Sequence, residues 1–330
     1  MTTHRTTATS SLATARHTSG GRDSAMRTAL EAAATTYGLP TAGARILQDG
    51  LNLVVRLPDA GLVAKVYRPG TTLAAAVRLS RLADWLRAND VLVPAPHRLP
   101  LFTEGRLVVS FMEDLGSAGA INPQQFAALL RHLHTLTPPP AFGLPAYAPA
   151  DSLAARLRAL PGTTPASRQD LEQLLTRLAE VARRWLEVDW PGGTGLLHGD
   201  AGYSNTVLSP AGPALIDWDY ASIGPVCVDL ALEAWHTEAF DTPVARYRSL
   251  ARAYGLDITR HDGADAYALL RSVLAITGVI VFLEAAADDP RWAGTAAHRL
   301  ACVLGDEPLP WHWRIDPALT GRTGLLARTF

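Results

Sequence analysis

Residues 197–205 read LHGDAGYSN, and residues 215–219 read LIDWD. Helix-period apolar spacing surrounds this part of the chain, but residues 193–224 interrupt it with polar residues and turn formers. The interruption carries two short predicted strands, Asn205–Leu208 and Ala214–Ile216. Catalytic and binding residues concentrate in loops that rigid elements hold, so this insert is the first candidate for a functional site.

Three side chains of the insert have the chemistry that phosphoryl transfer needs. That reaction needs a carboxylate to orient an acceptor hydroxyl, oxygen ligands for Mg²⁺ and a cation on the phosphates that are not transferred. Asp200 lies in a loop and can accept the hydroxyl proton. Asn205 offers an amide oxygen, and Asp217, at the end of a short apolar strand, offers the anionic oxygen that Mg²⁺ prefers. The insert therefore supplies the first two requirements.

Lys65 is the candidate for the missing cation. The chain has 30 basic residues, of which 29 are arginine, and Lys65 is the one lysine. Strand alternation points its side chain to the same face as Val63 and Tyr67, where a charge needs a partner such as a nucleotide phosphate. Gly50 lies between two predicted strands upstream and allows the main chain to approach a phosphate.

Taken in order, these features resemble the aminoglycoside phosphotransferase and choline-kinase-like family of small-molecule kinases. The order is a strand with Ala-Lys, a hairpin that ends in a linker, His-Gly-Asp with an asparagine five residues after the aspartate, and Ile-Asp-Trp-Asp. The likeness covers roughly residues 40–305, and the block that contains His-Gly-Asp is its most specific part. The stretch AYGLDITR at residues 253–260 is similar to actinobacterial members of that family.

The resemblance implies a fold, an activity and cofactors. The fold is α+β and protein-kinase-like, with two lobes: a small antiparallel sheet in the N-terminal lobe and a mostly helical C-terminal lobe. The activity is ATP- or GTP-dependent O-phosphotransfer with Mg²⁺, onto a hydroxyl of a small molecule such as an aminoglycoside-like antibiotic or a related metabolite. The enzyme is then a small-molecule kinase.

The resemblance also implies roles for individual residues. Asp200 is the catalytic base, and Asn205 and Asp217 are the Mg²⁺ ligands. The residues that bind the nucleotide are Lys65 and Gly50 with the neighbouring Asn52, and an adenine-binding linker of Phe111, Met112 and Glu113. His198 is a scaffold residue. Asp229, which begins a predicted helix, is expected to tie the catalytic loop together.

The predicted organisation has three parts: a disordered tail over residues 1–24, a nucleotide-binding lobe over residues 25–113 with a hinge near 111–113, and a helical lobe over residues 114–330 with the catalytic loop and acceptor site. In the first lobe we predict helices at 25–37 and 72–89, strands at 44–47, 51–57 and 61–67, and a hairpin at 101–111. In the second lobe we predict helices at 123–136, 166–188, 225–239, 244–254, 264–287 and 291–304.

One departure from the family pattern concerns the helix after the lysine strand. The family has a glutamate there that pairs with the lysine, but residues 72–89 contain no glutamate and carry Asp84 as their acid. Either Asp84 substitutes for the glutamate, or Lys65 pairs with Asp217 and the nucleotide alone.

Composition narrows the partners and the compartment. A net charge of −1 gives no field that would attract nucleic acid or an anionic membrane. Two cysteines cannot build a disulfide framework or a zinc cluster, which fits a cytoplasmic protein. The longest apolar stretches, such as Val273–Leu283, are expected to be too short for a membrane span. The expected partners are a nucleotide and a small hydroxylated acceptor, bound by a monomer or homodimer.

The acceptor and two rival functions stay open at this point. Residues 225–289 contain ten acidic residues against five arginines, which favours a cationic acceptor such as an amino sugar. One rival is a catalytically idle kinase-like module that binds a ligand, and the missing glutamate supports it. The other is a metal-dependent phosphohydrolase that uses His198, Asp200, Asp217 and Asp219 as ligands.

Overall fold

The computed structural model of the chain describes residues 21–49, 52–260, 263–305 and 307–314. The chain forms two compact units, with the boundary between Gly116 and Ser117. The first helix already begins at Gly21, so the last four residues of the predicted tail are helical. Residues 1–20 of that tail lie outside the described residues.

The first unit is a five-stranded antiparallel sheet with two helices. The sheet order is β1-β2-β3-β5-β4. The strands are β1 (Arg45–Asp49), β2 (Leu53–Leu57), β3 (Leu62–Val66), β4 (Phe102–Glu104) and β5 (Leu107–Glu113), and the helices are α1 (Gly21–Thr36) and α2 (Leu73–Ala88). The predicted hairpin turns at Gly105, whose φ of 57° suits glycine.

The two faces of the sheet pack against different partners. Alternate residues of β3, Leu62, Ala64 and Val66, belong to the core that also contains Met26 and Leu30 of α1. Tyr67 packs instead with Ala76 of α2 and Val108. Lys65 shares the Tyr67 side, with its Nζ 5.0 Å from the centre of the Tyr67 ring. The strand alternation predicted for Lys65 is therefore confirmed, and the face that carries it is the one that α2 covers.

The second unit is mostly helical and holds two small sheets, β6-β9 and β7-β8. The helices are α3 (Pro123–Thr135), α4 (Pro149–Arg158), α5 (Arg168–Trp185), α6 (Val228–Ala239), α7 (Val244–Tyr254), α8 (Ala264–Asp288) and α9 (Ala293–Leu304). The strands are β6 (Thr194–Leu197), β7 (Thr206–Ser209), β8 (Gly212–Leu215) and β9 (Ser222–Pro225).

Four elements of this unit differ from the sequence prediction. Strands β6 and β9 were not predicted, because each has only four residues and they pair with each other across a long loop. The helix predicted from Pro225 begins at Val228, since β9 ends at Pro225. Helix α4 was not predicted either, and it follows a proline-rich stretch that obscures its short apolar pattern.

Helix α8 corrects the expectation about membrane spans. It has 25 residues and is long and apolar enough, by length and composition alone, to cross a membrane. However, 78% of its most apolar stretch is buried inside the protein. Such burial is typical of a core helix, around which α4, α5, α6 and α9 are packed.

The segment after α9 returns to this core. The Trp313 amide donates to the Ala239 oxygen at 2.6 Å, and its ring packs over Gly278 of α8. Arg299 of α9 is 1% exposed, and its guanidinium lies 3.9 Å from the centre of the Phe282 ring and 4.5 Å from that of Trp313. Burial lowers the pKa of Arg299 to about 9. Within the described ranges, no carboxylate pairs with this guanidinium, so aromatic faces surround the charge instead.

Candidate active site

The loop between β6 and β7 carries the His-Gly-Asp block in a conformation that requires glycine. Gly199 has φ of 81°, and a side chain there would collide with the main-chain oxygen of Tyr220. The close approach brings the loop against the segment that follows β8. Residues Tyr203–Asn205 then form one 3₁₀ turn that leads into β7.

Asn205 links Asp200 to the main chain next to Asp217. Its Nδ2 donates to the main-chain oxygen of Asp200 at 2.8 Å and to Asp200 Oδ2 at 2.9 Å. Its main-chain oxygen accepts from the amide of Ile216, the residue before Asp217, at 3.0 Å. The structure thus brings Asp200, Asn205 and Asp217 together, although 17 positions separate the first from the last.

Backbone strain and electrostatics mark the same place. Asp217 has φ of 64°, in the left-handed region that costs a non-glycine residue energy and clusters at functional sites. The pKa of Asp200 is raised well above its usual range, first by burial and then by the negative charge of Asp217, while the hydrogen bond from Asn205 opposes the shift. Asp219 adds a smaller repulsion.

This donor set fits a divalent cation. The amide nitrogen of Asn205 bonds to Asp200, so the Oδ1 atom of Asn205 can coordinate a cation. Asp217 supplies a carboxylate. Hard oxygen ligands of this kind suit Mg²⁺. A cation would also relieve the repulsion between Asp200 and Asp217 that raises the pKa of Asp200.

Asp229, His134 and His198 hold the catalytic loop in place. Asp229 accepts from the amides of His198 at 2.8 Å and Gly199 at 2.9 Å, so the role predicted for it is confirmed. His134 adds a contact, with Nε2 3.1 Å from Asp229 Oδ2. The ring of His198 is fully buried between main-chain partners, the Ile216 oxygen at 2.9 Å and the Asp200 amide at 3.3 Å. With both nitrogens engaged, His198 is a poor metal ligand, which argues against a phosphohydrolase.

In the first unit, Lys65 and Asn52 are buried. Lys65 is 6% exposed on β3, where its register partners are Val54 and Ser110. Asn52 Oδ1 accepts from the amide of Arg68 at 2.9 Å, so this side chain fastens the end of β3 to the start of β2. Gly50 lies outside the described residues.

The predicted linker is the last part of β5. The Phe111 ring belongs to the core, and its main-chain oxygen accepts from His97 at 2.9 Å. The amide of Glu113 donates to Ala95 at 2.9 Å, and Met112 pairs with Val63 of β3. These main-chain contacts are structural, and the role of Phe111, Met112 and Glu113 toward adenine stays a prediction.

Sequence reasoning missed one contact of the catalytic loop. Glu233 of α6 accepts from the amide of Tyr203 through Oε1 at 3.0 Å. The available signal was the spacing, because Glu233 follows Asp229 by four residues and so lies on the same helix face.

Comparison with known proteins identifies the family. Residues 44–270 match the Phosphotransferase enzyme family. The chain belongs to this family. A thiamine kinase of Salmonella typhimurium is 28% identical to it over 281 residues, which cover 84% of this chain and 88% of the relative. A member of the Phosphotransferase enzyme family with such a relative is a small-molecule kinase, as the sequence predicted.

Solved structures confirm the kinase-like fold predicted for this member of the family. Aminoglycoside phosphotransferase APH(3'')-Id from Streptomyces rimosus aligns with a TM-score of 0.52 and 21% identity, over 74% of this chain and 96% of its own. Amicoumacin kinase hAmiN, in complex with AMP-PNP, Ca²⁺ and Ami, aligns with a TM-score of 0.63 and 12% identity, over 84% of this chain and 94% of its own. The five-stranded antiparallel sheet of the first unit and the helical second unit agree with this fold.

Proposed function

We propose that this kinase transfers the γ-phosphoryl group of ATP or GTP to a hydroxyl of a small cationic molecule, with Asp200 as the catalytic base. The observation that carries the proposal is that Asn205 bonds to the Asp200 carboxylate and to the amide of Ile216, the residue before Asp217. These bonds bring the proposed base close to the two proposed oxygen ligands. Phosphoryl transfer needs that combination and little other covalent chemistry from the protein.

Asp200 acts on the acceptor. Its carboxylate accepts the hydroxyl proton as the acceptor oxygen bonds to the γ-phosphorus, and the bond to the β-phosphate oxygen breaks to leave the nucleoside diphosphate. Burial, the largest cause of its raised pKa, strengthens it as a base. Asn205 and Asp217 would hold Mg²⁺, which supplies charge neutralisation on the phosphates when it is bound.

Lys65 acts on the nucleotide in this proposal. A compact ammonium on a flexible stem can lie between phosphate oxygens, whereas a guanidinium demands a planar, forked partner. A chain that uses arginine at 29 of 30 basic positions keeps lysine here, which favours a role that depends on the ammonium.

The thiamine kinase relative supports a cationic acceptor more strongly than the excess of acidic residues between positions 225 and 289 does. Several acids between residues 225 and 289 already have arginine partners: Glu238 with Arg271, Asp257 with Arg260 and Glu284 with Arg156. Their charges are therefore largely neutralised within the protein. Thiamine is a hydroxylated cation, as aminoglycosides are hydroxylated polycations, so both belong to the class that we propose.

A screen for acceptor-dependent release of ADP or GDP tests this function. Thiamine, choline and several aminoglycosides are each offered with ATP or GTP and Mg²⁺, and Asp200→Asn serves as the matched inactive control. We expect release above the acceptor-free rate with at least one cationic acceptor, and none with the control. Nucleotide binding without release from any acceptor would refute the proposal and favour the idle binding module.

A further inference from the structure

Helix α6 meets the catalytic loop at two points, one on each side of Asp200. Asp229 binds the amides of His198 and Gly199, which precede the base. Glu233, one turn further along the helix, binds the amide of Tyr203, which follows it. A rigid helix therefore fixes the distance between the two ends of the segment that carries Asp200.

The second of these contacts, from Glu233, holds Tyr203 in place. Its ring packs against Phe126 of α3, with 4.8 Å between ring centres, and the guanidinium of Arg246 of α7 lies 3.8 Å from the ring centre. Gly202 allows α6 to approach the loop closely, because a side chain at this position would lie 2.9 Å from Leu232 of α6. Three helices thus hold one residue of the loop.

The buried carboxylate of Glu233 holds the Tyr203 amide at a cost in folding stability. Its side chain is fully buried, and within the described part of the chain Oε2 has no hydrogen-bond partner. The nearest cation is Arg246, with Nε 3.8 Å from Oε2, and His236 Nδ1 lies 3.8 Å from Oε1. A buried carboxylate with incomplete partners destabilises the fold. The contact that it does make in full is the one to Tyr203.

The contact between Glu233 and Tyr203 affects the position of Asn205, the proposed metal ligand. Tyr203 begins the 3₁₀ turn that ends at Asn205, and the amide of Asn205 donates to the Gly202 oxygen at 2.9 Å. A displacement of residue 203 therefore moves Asn205 relative to Asp200. We infer that Glu233 is a positioning residue that holds Tyr203 so that Asn205 keeps its place beside Asp200. This inference rests on the proposed function for the role of Asn205 toward the metal.

Hydrogen exchange tests the positioning without requiring activity. Three variants are compared: Glu233→Ala, Glu233→Gln and, as matched control, Glu238→Ala. Glu238 is a carboxylate of the same helix that accepts from Tyr267 at 2.9 Å and Arg271 at 3.3 Å. We expect the Tyr203 amide to exchange about tenfold faster or more in Glu233→Ala, and at the wild-type rate in Glu233→Gln, whose amide oxygen still accepts the bond, and in Glu238→Ala.

Mg²⁺-dependent nucleotide binding, followed by calorimetry, supplies the functional readout. We expect Glu233→Ala to need about 10- to 100-fold more Mg²⁺ for half-maximal binding, and Glu233→Gln and Glu238→Ala to need close to the wild-type concentration. Turnover, where an acceptor is found, should fall by a similar factor with little change in the acceptor KM.

The inference is overturned if Glu233→Ala has wild-type exchange and Mg²⁺ dependence, if Glu233→Gln is as defective as Glu233→Ala, or if Glu238→Ala shows the same loss. A failure of the proposed function looks different, because no acceptor then supports turnover in the wild type while the exchange result at Tyr203 stands.

Discussion

Asn205 donates two hydrogen bonds from its amide nitrogen to Asp200, one to the main-chain oxygen and one to the carboxylate. The first bond fixes the backbone of the loop, and the second orients the carboxylate and favours its ionised form. Because both bonds use Nδ2, the amide oxygen points away from Asp200. One side chain therefore sets both the direction of the base and the direction of a metal ligand.

Substitution of Asp200 and substitution of Asp217 should impair different properties of the enzyme. Asp200→Asn should abolish phosphoryl transfer and leave the affinity for Mg-nucleotide nearly unchanged, because this carboxylate handles the acceptor hydroxyl. Asp217→Asn should weaken metal-dependent nucleotide binding about tenfold or more, because it removes an anionic ligand. Calorimetric titration of both variants measures the difference, and equal affinities would show that the division of roles is wrong.

Lys65→Arg should keep the fold and lose activity. The wider guanidinium cannot occupy the place of a buried ammonium on β3 without disturbing its contacts. We expect kcat/KM for the nucleotide to fall by about 10- to 1,000-fold, which corresponds to about 1.4 to 4 kcal/mol of transition-state stabilisation. The control is Arg106→Lys, an exposed position where the exchange should be neutral. Wild-type kinetics in Lys65→Arg would leave Lys65 with a purely structural role.

Glu233→Gln should be more stable than the wild type in alkaline solution. Burial raises the pKa of Glu233 from 4.5 to about 7, against the opposing effects of Arg246 and the Tyr203 amide. Burial lowers the pKa of the adjacent His236 to about 3, so this ring is neutral in the same range. The folded state therefore binds the Glu233 proton more tightly than the unfolded state, and this contribution to stability is complete below pH 4.5 and is lost as the pH rises through about 7.

Glutamine does not undergo that loss. The free energy of unfolding of Glu233→Gln should exceed that of the wild type by about 1 to 3 kcal/mol at pH 8, and the difference should shrink toward pH 4.5. Urea unfolding at several pH values measures it. A difference that is constant over this range would contradict the assignment of the proton to Glu233.

Arg299→Ala should destabilise the second unit by about 3 kcal/mol, because it empties the space between Phe282 and Trp313 and removes the bond to the Gly278 oxygen. Arg299→Met fills the same space without a charge that must be desolvated, and should cost less. Denaturant unfolding of the two variants gives the comparison. Equal losses would mean that the charge, and not the packing, stabilises this cluster.

The sequence predicted the parts of the molecule that depend on local pattern. Apolar spacing indicated α3, α7 and α8 closely, and alternation placed Lys65 on the Tyr67 side of its strand. The His-Gly-Asp block located the loop because its residues are close in the chain. Asp229 was also predictable, since an acid at a helix start next to a loop commonly binds main-chain amides.

Contacts between distant segments could not be predicted in the same way. Strands β6 and β9 pair only because the loop between them folds back, and neither has an apolar alternation of its own. The partners of Phe111 and Glu113 come from residues 95–97, which no pattern marks as an extended segment. The Glu233 contact depends on how closely α6 approaches the loop at Gly202, and this distance has no signature in the sequence.

The packing of Trp313 over Gly278 has a consequence for where this protein can be divided. The region shared with the family ends at residue 270, within α8, whereas the core of the second unit includes the rest of that helix, α9 and Trp313. A fragment cut at the shared boundary would expose the apolar faces of Trp235 and Phe240, against which Trp313 packs at 5.4 and 5.8 Å between ring centres. Both residues lie on or directly after α6, the helix that carries Asp229 and Glu233. A fragment that keeps its catalytic loop in place is therefore expected to extend beyond residue 270, to include the rest of α8, α9 and Trp313.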